Sequence, residues 1–178
     1  MSRYLFVQLL TVARVPLSIV FAVLLILVDE PSALFRWGLA TLLLAGEITD
    51  ALDGILARKW GVQSEFGAML DPYADSVSRI IVYWSLAQAQ LAMAVVPIVM
   101  ALRDITVAYC RIMMVQKGRS VKANWAGKAK AVIQCVGAFI LLLCPLAPAL
   151  EPTTVSVVSW LVIVATAASS VPYIRNAT

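Results

Sequence analysis

The sequence predicts an all-α, polytopic membrane protein, with six transmembrane helices preceded by a short N-terminal interfacial segment, in one domain over residues 1–178. Three observations carry this. Of the 178 residues, 62% are hydrophobic and only 13% charged, and the mean hydropathy of +0.90 is far above that of a water-soluble domain. The apolar residues fall into six runs, each near the roughly 20 residues a helix needs to cross hydrocarbon. Finally, the basic residues of the loops are concentrated in alternate loops, as expected of a chain that threads a bilayer.

Taken in order, the segment from Met1 to about Phe6 carries Arg3, Tyr4 and Phe6, a composition suited to the membrane surface. The first span follows at about residues 9–28. It ends in acidic DEPS with no small-residue cleavage pattern, so it reads as a span and not as a signal peptide. The remaining spans are expected at about residues 37–57, 67–89, 91–115, 127–146 and 154–173.

Loop charge orients these helices. The segments after spans one, three and five hold Asp29, Glu30 and Glu151, with Arg36 as their base. Those after spans two and four hold Arg58, Lys59, Lys117, Arg119, Lys122 and Lys128, and Arg3 and Arg175 mark the termini. The positive-inside rule therefore puts both termini and the basic loops in the cytoplasm, for instance inside a bacterial inner membrane. In this orientation Asp50 and Asp53 lie near the cytoplasmic end of span two, Asp71 and Asp75 near the start of span three, and Arg103, Asp104 and Arg111 in the cytoplasmic half of span four. All these polar groups collect at one depth.

The stretch from Asp50 to Asp75, DALDGILARKWGVQSEFGAMLDPYAD, sets four aspartates, three glycines and an arginine in an otherwise mostly apolar chain. Such groups are costly near a bilayer unless they serve a function. On a helix, Asp50, Asp53, Gly54, Ala57 and Arg58 share one face, and Gly67, Asp71 and Asp75 make a second single-faced row. The short polar link between them predicts two antiparallel helices whose rows meet. Four crowded carboxylates repel, and hard divalent cations such as Mg²⁺, completed by water and phosphate oxygens, relieve that repulsion. Gly54 and Gly67 have no side chain, so a nucleotide diphosphate can lie close against both backbones. An accidental run of helix caps and surface acids would leave acids in apolar helices unexplained.

The pattern D-x-x-D-G-x-x-A-R, eight residues, then G-x-x-x-D-x-x-x-D is complete at Asp50, Asp53, Gly54, Ala57, Arg58, Gly67, Asp71 and Asp75. It resembles the signature of the CDP-alcohol phosphotransferase family, which moves a phosphatidyl group from CDP-diacylglycerol to an alcohol and releases CMP. The resemblance implies two Mg²⁺ ions, with Mn²⁺ as an alternative, on Asp50, Asp53 and Asp71. Asp75 would join the second metal and act as general base. It implies CDP binding by Asp50, Gly54, Ala57, Arg58, Gly67 and Asp71, with Arg58 donating to the diphosphate. Family members are commonly homodimers.

Arg103, Arg111, Lys128 and Lys130 exceed what one diphosphate requires, and point to a phosphorylated acceptor. Arg103 and Arg111 stand at i and i+8 within a span, where function is favoured, whereas Lys128 and Lys130 also fit plain positive-inside loop charge. Asp104 is suited to pair with a cation. Beyond the signature, QLLTVARVPLS, FGAMLDPYAD, LRDI and GRSVKANWAGKAKAVIQ resemble the phosphatidylglycerophosphate synthase branch, which implies sn-glycerol 3-phosphate as acceptor. That branch commonly has lysine after the last aspartate, where this chain has Ser76. Arg79, one turn beyond Asp75, either replaces that cation or marks a different phosphorylated alcohol such as inositol phosphate. The run Asp75-Ser76-Val77-Ser78 is also similar to serine-accepting relatives, which need no second phosphate site. Glu47, one turn before Asp50, is placed to pair with Arg79 or Arg103, or to contact the acceptor.

Competing classes fit less well. A small membrane transporter would also hold intramembrane acids, but the acid-rich second and third spans have no counterpart in the fifth and sixth. A purely structural subunit leaves the motif unexplained. Nucleic-acid binding is not indicated by a net charge of +4 concentrated in membrane loops. Cys110, Cys135 and Cys144 are odd in number, lie in apolar segments and read as core. Trp60, Trp125 and Tyr173, with Trp37 at the other side, read as interfacial anchors. Small residues in spans five and six suit close packing or a homodimer surface.

Overall fold

The computed structural model describes residues 2–62, 64–118 and 125–177. Arg119 and Lys122 lie outside the described residues. Within them every regular element is helical: α1 (Arg3–Leu27), α2 (Ala33–Trp60), α3 (Glu65–Gln88), α4 (Val95–Gln116), α5 (Trp125–Leu143), α6 (Glu151–Ala168) and a short α7 (Val171–Ala177). Two single 3-10 turns, Cys144–Leu146 and Pro148–Leu150, link α5 to α6.

The six long helices correspond to the six expected spans, with two differences. Residues 3–6 are the first turn of α1 and run unbroken into the first span, capped by Ser2, whose Oγ accepts from Leu5 N at 3.3 Å. The last expected span, 154–173, is divided between two helices: α6 ends at Ala168 and the short α7 follows from Val171, both within the apolar segment Pro148–Asn176. Pro172 has no N–H to continue the ladder, and Ser169 and Ser170 turn their hydroxyls onto the carbonyls of Thr166 and Ala167 at 2.7 and 2.6 Å.

Among the described residues, three segments, Arg3–Leu27, Gly127–Leu146 and Pro148–Asn176, are long and apolar enough to cross a membrane. Helices α2, α3 and α4 have the length, with 28, 24 and 22 residues, but Glu47, Asp50 and Asp53, then Asp71, Asp75 and Arg79, then Arg103, Asp104 and Arg111 interrupt their apolar runs. Polarity is distributed as in a bilayer protein: Arg14 and Asp53 are each 4% exposed while Leu34 is 83% exposed. The chain is an integral membrane protein.

The chain forms two compact units, Met1–Ser85 and Leu86–Thr178. In the first, α1 and α2 are antiparallel neighbours. The Arg3 guanidinium lies 5.9 Å from the Trp60 ring and the Phe6 ring packs against the same ring at 6.0 Å, tilted by 56°, while Thr11 meets Asp53 further along. Ser32 caps α2 by accepting from Phe35 N at 3.3 Å. In the second unit, Val96, Met100, Val107, Cys110 and Met114 form the buried stripe of α4. Polar groups also join helices there: Gln134 Nε2 donates to Thr166 Oγ1 at 2.9 Å, and Met93 N donates to Ser159 Oγ at 3.1 Å.

Candidate active site

The first unit holds the acids. Helix α2 ends at Gly61, whose φ of 64° is a left-handed conformation that costs glycine nothing. Its N–H donates to Arg58 O at 3.3 Å and Val62 N–H to Ala57 O at 3.1 Å, closing the last turn. Ser64 opens α3 by accepting from Gly67 N–H at 3.0 Å. Only a few residues thus separate the two helices, and Asp71 of α3 is brought beside Asp50 and Asp53 of α2.

Asp50, Asp53 and Asp71 each bring a carboxylate oxygen within 4.8 Å of the others. Asp53 is buried, Asp50 half-buried and Asp71 exposed, so the cluster opens from an interior corner toward its surface. Its donors are all oxygens, which fits a hard cation such as Mg²⁺ or Mn²⁺.

A side chain from α1 lies among these carboxylates. Arg14 forms ion pairs with Asp50 and Asp71 and, through Nη2, with Asp53 at 3.3 Å. Its Nε donates to the Thr11 carbonyl at 3.4 Å. Thr11 Oγ1 donates to Asp53 Oδ2 at 2.7 Å, so Thr11 and Arg14, both buried, bear on the buried aspartate. Neither Thr11 nor Arg14 was assigned a role from the sequence. The signal was present: an arginine in the middle of the first apolar span, three residues after a threonine on the same face, follows the same intramembrane-charge argument that singled out Arg103.

Asp75 is not in the trio. Its Oδ1 accepts from Arg79 Nε at 2.7 Å, and Arg79 Nη2 lies 3.4 Å from Glu47 Oε2. Of the alternatives for Glu47, pairing with Arg79 is the one observed. The expected nucleotide residues line up along the same two helices. A Cβ at Gly54 would stand 4.0 Å from Arg58 Nη2, and one at Gly67 only 2.7 Å from Gln8 Nε2. The other amide atom of that side chain, Gln8 Oε1, is buried with no hydrogen-bond partner. Ala57 is half-buried and Arg58 exposed.

The expected acceptor residues, apart from Arg79, lie in the second unit. Arg103 and Arg111 bracket the Tyr173 ring, with guanidinium carbons 5.7 and 5.4 Å from its centroid. Tyr173 is 5% exposed and packs with Val107, Cys110 and Met114, so it is not the interfacial anchor its position near a span end indicated. The break at Ser169 turns α7 so that the ring is covered. Trp125 and Trp37 are exposed, as an anchor requires. Arg103 Nε donates to Ser169 Oγ at 2.9 Å. Asp104 pairs with Arg103 at 2.8 Å and with Lys130 at 3.3 Å, as its place among cations indicated. Arg111 Nε is buried without a hydrogen-bond partner. Lys128 is exposed.

The family described as CDP-alcohol phosphatidyltransferase matches residues 5–171. The chain is 41% identical over 96 residues to a CDP-diacylglycerol–glycerol-3-phosphate 3-phosphatidyltransferase of Mycoplasma genitalium, covering 54% of this chain and 41% of that protein. It is 32% identical over 132 residues to a probable phosphatidylglycerophosphate synthase of Mycobacterium tuberculosis, covering 73% of this chain and 61% of that one. To a CDP-diacylglycerol–glycerol-3-phosphate 3-phosphatidyltransferase of Bacillus subtilis it is 31% identical over 143 residues, covering 75% and 74%. The matched region is thus less than two thirds of the length of the Mycoplasma and Mycobacterium relatives, 41% and 61%.

Proposed function

Because the chain belongs to the CDP-alcohol phosphatidyltransferase family, we propose that it transfers a phosphatidyl group from CDP-diacylglycerol to sn-glycerol 3-phosphate, releasing CMP and giving phosphatidylglycerophosphate. The observation that carries the reading is the convergence of Asp50, Asp53 and Asp71, from the C-terminal half of α2 and the N-terminal half of α3, within 4.8 Å of one another. Three carboxylates against the one guanidinium of Arg14 leave a net negative charge, which a divalent cation would offset.

Asp50, Asp53 and Asp71 would hold two Mg²⁺ ions, or Mn²⁺, with Asp75 at the second. Bound there, the ions would neutralise the oxygens of the diphosphate during phosphoryl transfer. The chain's own groups supply the rest. Gly54 and Gly67 let the nucleotide approach the backbone, and Arg58 donates to its phosphates. Asp75 takes the proton of the acceptor hydroxyl while that oxygen bonds to the phosphatidyl phosphorus. The bond from that phosphorus to the CMP oxygen breaks, and CMP leaves with the electron pair. Arg79 orients the Asp75 carboxylate through its 2.7 Å hydrogen bond.

A phosphorylated acceptor is favoured by Arg111, whose buried Nε lacks a partner, beside Arg103 on the same ring. Lys130 and Lys128 add charge to that region. Serine, which has no phosphate, would leave this excess unused. The loop charges support a site facing the cytoplasm with both termini on that side, and the small residues of α5 and α6 suit a homodimer interface.

The test is CMP release by the purified protein from CDP-diacylglycerol with Mg²⁺, offering glycerol 3-phosphate, inositol phosphate, free inositol and serine in parallel. Turnover with glycerol 3-phosphate is the expected result. Turnover with inositol phosphate alone would keep the chemistry and change the acceptor. No turnover by folded, metal-loaded protein with any of the four would overturn the reading.

A further inference from the structure

Arg14 is as buried as Asp53, each at 4% exposure, and it is ion-paired to all three aspartates of the cluster. A guanidinium cannot give up its proton inside a protein, so its positive charge is permanent. The carboxylates in turn cannot remain crowded without a counter-charge. A divalent cation added to this cluster would meet oxygens already neutralised in part, with a fixed positive charge beside them.

We propose that Arg14 is a resident counter-cation that holds Asp50, Asp53 and Asp71 together when no metal is bound, and that it competes with the divalent cation for the same oxygens. The competition rests on the metal reading above; the counter-charge role does not. Arg14 therefore has two opposed effects. It keeps the metal-free site assembled within the bilayer, and it weakens metal binding, so that the ion is held loosely enough to exchange. An arginine that merely oriented the metal ligands would have the opposite effect on affinity, because its loss would disorder the site.

The test uses the full chain purified in lipid nanodiscs and stripped with a chelator, with Mn²⁺ alone as probe, followed by loss of the free-ion paramagnetic resonance signal and by thermal unfolding. Arg14→Gln is expected to bind Mn²⁺ roughly tenfold more tightly than the wild type. Its metal-free unfolding temperature should fall by roughly 5 °C or more, and Mn²⁺ should restore most of that loss. Arg14→Lys, which keeps the charge and loses the fork, should lie between the two. Adding Asp50→Asn to Arg14→Gln should raise the metal-free unfolding temperature, because it removes one of the repelling charges. The same Asp50→Asn change in the wild type should lower it.

Weaker or unchanged Mn²⁺ binding by Arg14→Gln would overturn the competition. Failure of Asp50→Asn to recover any stability in that background would overturn the counter-charge role, leaving Arg14 as packing. If neither the wild type nor Arg14→Gln takes up Mn²⁺, the metal reading fails and the competition with it. The metal-free comparison of single and double variants then still decides the counter-charge role.

Discussion

Arg79 Nε donates to Asp75 Oδ1 at 2.7 Å across one turn of α3, and the other end of the same guanidinium faces Glu47 on α2 at 3.4 Å. A fork held between two acids has little freedom, so it fixes the direction in which the Asp75 carboxylate presents its second oxygen. If Asp75 is the base, Asp75→Asn should lower kcat by roughly 10²–10⁴-fold, the usual contribution of a positioned proton acceptor. Nucleotide binding should persist, because neither the helices nor the trio depends on that proton acceptor. Arg79→Ala should lower kcat by a smaller factor. Initial rates of CMP release, with CDP binding measured separately, check both; an Asp75→Asn protein retaining most of its kcat would remove the assignment.

Thr11 ties α1 to the buried member of the cluster. Its hydroxyl donates to Asp53 at 2.7 Å and both groups are buried. Thr11→Val preserves the shape and removes the donor, leaving a buried carboxylate oxygen short of one hydrogen bond, at a cost of about 1–3 kcal/mol. Thr11→Ser keeps the hydroxyl and should recover most of it. Thermal unfolding of the two variants in the same nanodiscs makes the comparison, and an unchanged Thr11→Val beside a destabilised Thr11→Ser would show that the methyl contact matters and the hydrogen bond does not.

Much of this architecture was legible in the sequence because membrane solvation imposes simple rules. Apolar runs of fixed length gave the six long helices, and Asp50, Asp53 and Asp71 converge because helical spacing and a short link leave their rows little choice. What was not legible depends on packing between helices distant in sequence. Arg14 lies 36 residues before Asp50 and 57 before Asp71, and no periodicity within α1 reports which helix it faces. Tyr173 was misread for a related reason: an aromatic residue near a span end fits an interfacial belt equally well whether or not the chain turns, and the turn at Ser169 buries it. Asp75 shares a helical face with Asp71, yet Arg79 engages its carboxylate. A face assignment fixes where a side chain starts, not which partner it reaches.

Gly67 has two competing explanations that a pair of variants separates. A Cβ there would stand 2.7 Å from Gln8 Nε2, the far end of a flexible side chain that can move aside. Gly67→Ala should therefore fold. If glycine is needed for the nucleotide's approach, Gly67→Ala should weaken CDP binding by about tenfold or more, as for one lost well-formed contact, and Gln8→Ala in the same chain should not restore it. Full recovery in the double variant, by calorimetric titration with CDP, would mean that glycine serves only to seat Gln8.

Tyr173 and Arg111 give the last prediction, on the acceptor. The ring lies between Arg103 and Arg111, each guanidinium carbon under 6 Å from its centroid, within the range of cation–π attraction. Two guanidiniums face one buried ring, and the Arg111 Nε lacks a partner. A phosphate supplies both the missing acceptor and the missing negative charge. Arg111→Ala should raise the KM for glycerol 3-phosphate by about 10–100-fold, the equivalent of one or two charge-assisted hydrogen bonds, with a much smaller effect on the KM for CDP-diacylglycerol. Tyr173→Phe keeps the ring face and should leave the acceptor KM near the wild-type value, whereas Tyr173→Leu keeps apolar volume but not the face and should raise it. An equal change in the KM of both substrates for Tyr173→Leu would make the residue part of the packing alone. An unchanged acceptor KM in Arg111→Ala would remove the argument that the acceptor carries a phosphate.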